Sequence, residues 1–385
     1  MGSREANNIN VFFVLLRAGL YGTPIAESEL PDGIDWKWVV MLAKKHFVLG
    51  TIVESVQYLP EPLRPSGNMA AEMSKFALGL IQTGMILDNT VARLVSFFNQ
   101  HGISGVLLKG QGVARYYRAP QLRQSGDIDF YVGDTVYKRA VELCRQHLLV
   151  GDNRESGEIV HHYDFVMDGV VVEIHRLASR IHTPIRRERF QAWVVQELEH
   201  SAGRRKVRLG NADVTLPSYD FDAIFIFQHA WHHYVGGGIG LRQLCDWAMI
   251  FHTHADDIDC EKLKNNVSRF GMTKGWKLFA WIAVNHLGVS PTRMPLYDPS
   301  YAKQAQKAFS DIISGGNFGY FSKEYAKKWE HLYGLRYGLH KVRHITARFF
   351  SQFRLVPLEA TFMYIDRLFY GVKYTTQRAL RKSKK

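Results

Sequence analysis

The sequence predicts an α+β protein, a small mixed β-sheet set between two helical regions. Three observations predict it. Apolar residues recur at three- and four-residue steps toward both ends of the chain, and short strand-like segments are confined to the middle. An Asp-Gly pair, Asp168-Gly169, also separates two alternating segments as a tight hairpin turn does. Helices segregated from strands, rather than alternating with them throughout, are the mark of this class.

In chain order, residues 7–20, 36–47 and 70–98 carry helical periodicity, interrupted by the proline-rich stretch 59–67. Gly105–Leu108 then reads as a short apolar strand, Gln111–Arg118 as a helical turn or two, and Ala119–Gly126 as a loop. Asp127–Val132 alternates acidic and apolar residues at period two and is expected to be a strand. Thr135–Leu149 is an amphipathic helix with Val136, Ala140, Leu143 and Leu148 near one face. His162–Met167 and Val170–Arg176 form the hairpin around Asp168-Gly169. A weaker one joins Lys206–Leu209 to Val214–Leu216 around Gly210-Asn211. From Ser218 onward the pattern is helical, with a glycine-rich break at Gly236–Gly240 and a stop expected at Pro357. The expected organisation is an N-terminal helical region (1–100), an α/β core (101–217), a C-terminal helical region (218–345) and a basic, aromatic-rich tail (346–385).

Composition narrows the function classes. With 46% hydrophobic and 22% charged residues the chain reads as folded, not disordered or fibrous. The net charge is +13, but residues 336–385 hold twelve basic residues against Glu359 and Asp366, so +10 of it sits in the last fifty residues. The body is close to neutral and does not present a uniformly nucleic-acid-like surface. Cys144, Cys245 and Cys260 show no metal or redox spacing. No apolar run approaches a membrane span, and no signal-peptide pattern opens the chain, so a cytoplasmic location is expected.

The chemistry concentrates in three short segments. Strand alternation puts Asp127 and Asp129 on one face and Ile128 and Phe130 on the other. Two carboxylates this close repel, which a fold tolerates best with a cation between them. A hard, oxygen-seeking ion such as Mg²⁺ suits the pair, and a solvated strand edge is the plain alternative. Glu173 stands inside the β-branched run Val170–Ile174, where an unpaired carboxylate costs several kcal/mol to bury. A third metal-site carboxylate, or a solvent-facing strand position, would each account for it. Upstream, Leu108-Lys109-Gly110-Gln111-Gly112 leaves a strand, turns at glycine and enters a helix. That turn offers backbone N–H groups and an ammonium to a phosphate, and the absence of a Cβ at Gly110 is expected to let an anion approach the backbone.

Taken together, LLKGQGVARYY (107–117), APQLRQSGDIDFYV (119–132) and VVVEIHR (170–176) resemble the superfamily of minimal, polymerase-β-like nucleotidyltransferases. More closely, they are similar to a bacterial family marked by Lys-Gly, a Tyr-Pro stretch and Arg-x-x-Gly-Asp-x-Asp. HAWHH (229–233) and LRQLCDW (241–247) resemble that family's helical half. The resemblance implies a nucleotidyltransferase core in which Asp127, Asp129 and Glu173 are the catalytic metal ligands and Gly110 and Gly126 shape the phosphate-facing turns. It also implies Mg²⁺ as cofactor, with two ions accommodated and Mn²⁺ as a substitute, and an NTP as substrate; the acceptor is not readable. Lys109-Gly110 stands where the superfamily usually has Gly-Ser, so Lys109 and Arg123 are expected to replace the serine as triphosphate contacts. His175 and His229 are expected behind or beside the nucleotide. Two rival expectations stand: a toxin-like enzyme modifying tRNA or protein, and a nucleotide-binding module without catalysis.

Other signals have plainer readings. His229, His232 and His233 share a helical face but lack a zinc motif. Arg242 and Asp246, four apart, are expected to pair with each other, and Gly236–Gly238 to act as a connector. In the tail, Phe349, Phe350, Phe353, Phe362, Tyr364, Phe369, Tyr370 and Tyr374 are interleaved with basic residues. Such a segment suits packing onto the helical half, peripheral contact with an anionic inner-membrane surface, or RNA.

Overall fold

The structure, a computed structural model, describes residues 3–148, 162–317 and 334–382. Helices α1 (Ser3–Tyr21), α2 (Trp36–His46), α3 (Leu49–Ser55) and the long α4 (Gly67–Gln100) precede the first strand. Helix α2 starts where Asp35 accepts a hydrogen bond from the Trp38 N–H, and it ends where Phe47 turns left-handed. The short α3 follows at once and escapes sequence reading, because seven residues are too few to show a stripe.

Strands β1 (Val106–Leu108), β2 (Asp127–Tyr131), β3 (His162–Met167) and β4 (Val170–His175) form one mixed sheet in the order β1-β2-β4-β3. β1 runs antiparallel to β2 and β3 antiparallel to β4, while β2 and β4 are parallel, with Asp129 opposite Glu173. A parallel pair needs a crossover, supplied here by helix α6 (Asp134–His147) and β3. The expected hairpin turns at Asp168-Gly169, and the weaker one joins β5 (Arg205–Leu209) to β6 (Ala212–Leu216) as a separate two-stranded sheet. The last residue expected of α6, Leu149, lies outside the described residues.

One face of the large sheet, with Leu107, Ile128, Phe130, Val172 and Ile174, is buried against Leu87, Val91, Leu94 and Phe98 of α4 and Ala140 and Cys144 of α6. Phe98 and Phe130 stack with ring centroids 5.6 Å apart, and Gly105 has no Cβ because one would lie 2.2 Å from the Phe130 ring. Truncating a ring buried this way costs about 3–5 kcal/mol, so Ile128 and Phe130 pin the strand and thereby fix which way Asp127 and Asp129 point. The other face, through Val106, Leu108 and Tyr131, joins the larger helical core.

That core contains α7 (Pro184–Val195), α8 (Tyr219–Gly236), α9 (Leu241–His254), α10 (Cys260–Arg269), α11 (Thr273–Asn285) and α12 (Ala302–Gly315). Helix α7 is absent from the sequence-based expectation, since Arg186, Arg187, Glu188 and Arg189 crowd its first half and hide the apolar face formed by Phe190, Trp193 and Val194. Helix α8 is capped by Ser218, which accepts from the Phe221 N–H at 3.1 Å.

The segment expected as a tail is two helices, α13 (Gly334–Phe353) and α14 (Pro357–Lys382). The helical run does break before Pro357, with α13 ending at Phe353, and Pro357 then opens α14, at the position where its missing N–H has no partner to lose. Basic residues of this hairpin serve the body. Arg348 donates to the Val235 and Tyr234 carbonyls and Arg367 to that of Gly236, capping the C-terminal end of α8. Both acids are used too, Glu359 accepting from Trp231 Nε1 at 2.8 Å and Asp366 lying 2.7 Å from His182 Nδ1. Among the described residues no helix is long and apolar enough to cross a membrane. Cys144 and Cys245 are buried thiols and Cys260 is an exposed one.

Candidate active site

Between the acidic face of the sheet and the side of α8 lies a cavity of about 550 Å³. Strand alternation and register bring the acids there together. Asp127 and Asp129 are two apart on β2, and Glu173 sits beside Asp129 on the parallel neighbour β4. Asp129 is 2% exposed, whereas Asp127 stands at the outer end of the strand.

Asp129 is the electrostatic centre. Lys109 Nζ and His175 Nε2 each lie 2.9 Å from its Oδ1. Burial alone would raise its pKa, but the ammonium and the imidazole hold it far below the usual carboxylate range. Glu173 is also held low: desolvation is outweighed by His175, whose Nε2 is 3.2 Å from Glu173 Oε2, with help from His162. His175 is correspondingly pushed up to about 9, its two carboxylate contacts outweighing burial. Asp127 moves the other way. Desolvation in the cavity mouth comes first and repulsion from Asp129 second, so its carboxyl is raised with only partial relief from Lys109.

The strand-to-helix turn takes positive φ at its two key residues, with strain at Lys109 alone. Lys109 has φ 50° and Gly110 φ +41°, and a non-glycine residue in that region costs on the order of 1–3 kcal/mol, tolerated where surrounding contacts demand it. Here the demand is the Lys109–Asp129 pair. Gly110 is needed for its backbone angle, and an added Cβ would meet only the Asp127 carbonyl oxygen at 3.4 Å.

Arg123 lines the cavity but is occupied. Its Nε and Nη2 donate to the two oxygens of Asp246, each at 2.7 Å, and its Nη1 donates to the Gly110 carbonyl at 3.1 Å and to Ser125 Oγ. Tyr117 adds a third hydrogen bond to Asp246 at 2.7 Å. The expected Arg242–Asp246 helix pair is therefore replaced by a clamp from α9 to the loop before β2. A bidentate buried pair outcompetes a one-turn surface pair worth tenths of a kcal/mol. Arg242 instead donates to the Gln124 carbonyl at 2.9 Å, and its buried Nε has no hydrogen-bond partner. Gly126 is exposed and is not part of the cavity wall, where Ser125 takes its place.

Facing the acids is a histidine wall, His229, His232 and His233 from α8 with Arg180 and His182 from the segment after β4. His229 is held well below the ordinary imidazole value by desolvation and by Lys109, and His233 is pushed down to about 4 by the same causes with Arg367 adding to them. Both are neutral at pH 7. His175 touches Asp129 and Glu173 directly, while His229 faces them across the cavity. Sequence reasoning did not single out Arg180, His182, His162 or Arg242 as site residues. Arg180 and His182 sit in no motif and arrive by packing, His162 arrives through the β3–β4 hairpin, and Arg242 lies within the LRQLCDW segment. Their nearest signal was the LRQLCDW segment, set aside as a helical pair.

The profile of a family described as uncharacterised nucleotidyltransferase matches residues 32–288. The chain belongs to this family. All the residues lining the cavity, from Lys109 to Asp246, fall inside the nucleotidyltransferase match, and the α13–α14 hairpin lies beyond it. No curated protein and no solved structure matches the chain. Family membership supports nucleotidyl transfer as the general chemistry.

Proposed function

We propose that this protein is a Mg²⁺-dependent nucleotidyltransferase that moves a nucleoside monophosphate from an NTP to an acceptor hydroxyl or phosphate. The carrying observation is the pairing of Asp129 with Glu173 across β2 and β4, with Asp127 two residues away, on the wall of a cavity that also presents Lys109 and Arg242. The donor set fits a hard cation. Three carboxylates line the same cavity, and the outermost, Asp127, has its proton affinity raised partly by repulsion that a cation would relieve. Asp127, Asp129 and Glu173 would hold Mg²⁺, or Mn²⁺ in its stead, with room for two ions. Bound there, the metal supplies charge neutralisation for the triphosphate and for the pyrophosphate leaving group.

The protein's own groups divide the remaining work. With a cation held by Asp129, the Lys109 ammonium that now pairs with that carboxylate would be free to contact a phosphate oxygen. Arg242, with an unpartnered Nε, binds a second phosphate oxygen. The Arg123–Asp246 clamp keeps the Gly110 turn and β2 in register. Glu173 accepts the acceptor's proton. Neutral His229 and His233 add no charge to the opposite wall, where Arg180 is paired with Asp366.

The test is incubation with Mg²⁺, each α-labelled NTP in turn, and cell extract, with wild type and Asp129→Asn in parallel. Label transferred by wild type alone supports the reading, and no transfer with any NTP refutes it.

We also propose that the α13–α14 hairpin rests on an anionic bilayer. Leu358, Ile365 and Phe369, 54%, 52% and 67% exposed, fall on one stripe of α14, and Phe350 and Phe353 are exposed on α13. The net +10 of residues 336–385 complements anionic headgroups. Wild type should sediment with phosphatidylserine-containing vesicles and Ile365→Ser/Phe369→Ser should not. Equal sedimentation, or binding to RNA alone, removes the proposal.

A further inference from the structure

The nitrogen-bearing edge of the acidic face carries a second arrangement that three carboxylates do not explain. His162 on β3 lies directly opposite His175 on β4, and Asp164 lies opposite Glu173. One ligand atom each from His162, Glu173 and His175 lies within 4.8 Å of the others, with Glu173 Oε2 3.2 Å from His175 Nε2 and 3.8 Å from His162 Nδ1. Tetrahedral bonds of about 2.1 Å place neighbouring ligand atoms about 3.4 Å apart. Two of the edges are therefore near their final length before any ion arrives.

The far side of the His175 ring is independent support. A ligating imidazole normally has its other nitrogen held by a carbonyl or carboxylate, which fixes the ring's orientation and tautomer. His175 Nδ1 lies 3.4 Å from the Leu177 carbonyl oxygen, whereas Asp164 Oδ1, 2.9 Å from His162 Nε2, is an ion-pair neighbour outside hydrogen-bond geometry. Both rings turn a nitrogen, Nε2 of His175 and Nδ1 of His162, toward the Glu173 carboxylate.

We infer that His162 Nδ1, Glu173 Oε2 and His175 Nε2 form a binding site for a borderline transition-metal ion, open to the cavity on its fourth side. Two imidazoles and one carboxylate select Zn²⁺, Co²⁺, Mn²⁺ or Fe²⁺ over Mg²⁺, which prefers an all-oxygen shell. His175 Nε2 already faces the carboxylates of Asp129 and Glu173, 2.9 and 3.2 Å away, so an ion bound there meets anions that suit a cation. Lys109, 2.9 Å from Asp129, is the nearest opposing charge. All three ligands line the cavity, so water or a phosphate oxygen completes the coordination. The site shares Glu173 with the proposed carboxylate site but holds whether or not nucleotidyl transfer occurs.

The test is titration of metal-free full-length protein with Co²⁺, read by visible absorption and by equilibrium dialysis with and without 5 mM Mg²⁺. Wild type, His162→Ala and Asp127→Asn are compared, His162 being chosen because it is partly exposed and outside the Asp129 network. The expected result is one equivalent bound with a tetrahedral or five-coordinate spectrum that survives Mg²⁺. Affinity should fall at least tenfold in H162A and stay within threefold in D127N. Absence of stoichiometric binding, H162A binding like wild type, or equal loss in both variants would each overturn the site. The last would put the ion on the carboxylates. Because the readout is metal binding, failure of NTP turnover leaves this inference standing, and its failure leaves the proposed reaction standing.

Discussion

The two walls of the cavity handle charge in opposite ways. On the sheet, Asp129 and Glu173 are kept ionised by Lys109 and His175 despite burial, while on α8 His229 and His233 are kept neutral by burial and by that same Lys109. One ammonium therefore polarises both sides, favouring the anion near it and disfavouring further cations. What differs is the dominant cause: counter-charges within 3.2 Å decide the state of the acids, and desolvation decides that of His229 and His233. A cavity built this way presents negative charge on one wall only, and the comparison can be broken one side at a time.

The largest effect is expected at Asp129. Asp129→Asn should lower nucleotidyl transfer on the order of 10²–10³-fold, the scale for losing an electrostatic group that faces developing charge. It should also lower the stability of the metal-free protein by on the order of 3 kcal/mol, because Lys109 and His175 lose a buried counter-charge. Urea unfolding beside a turnover assay separates the two, and an unchanged midpoint would mean the network is not what keeps the acid ionised.

Next come the arginines, which look alike in sequence and differ in use. Asp246→Ala should destabilise by about 3–5 kcal/mol by orphaning Arg123 and Tyr117. Arg242→Ala should instead weaken Mg·NTP binding by about 1–3 kcal/mol with a smaller effect on stability. Lys109→Ala should weaken binding by the same order. Calorimetric affinities and melting curves on the three variants check the division of labour, and the reverse ranking would assign the clamp to the substrate.

The histidine wall has a pH signature. His233 folds with its pKa depressed from 6.5 to about 4, so its contribution to stability is present above the unfolded value and is lost as pH falls from about 6.5 toward 4. His233→Gln should flatten that part of a stability profile measured by urea midpoints; identical slopes in both proteins would show the imidazole to be charged or solvated. The smallest effect is expected farthest from the cavity. Phe369→Ser on exposed α14 should change folding stability by no more than about 0.5 kcal/mol.

The sequence by itself determined the α+β class, both hairpins and the three carboxylates, since all follow from local periods. Two-residue alternation places Asp127 and Asp129 together, a lone Glu in a β-branched run stands out as Glu173, and Asp-Gly turns a hairpin wherever it lies. Only the tertiary structure decided which cations serve which acids. Arg123 has a nearer carboxylate by sequence in Asp127, yet it is claimed by Asp246, more than a hundred residues on, because the packed cores bring α9 against the loop before β2. Gly126, legible as part of a motif, turned outward, while Arg180 and His182 arrived from a segment with no motif at all. The C-terminal charge was legible as a number, but not that Arg348 and Arg367 cap α8. Periodicity records which face a residue takes, whereas an ion pair depends on which faces meet, and that is settled only when burial excludes water and leaves each charge a single partner within reach.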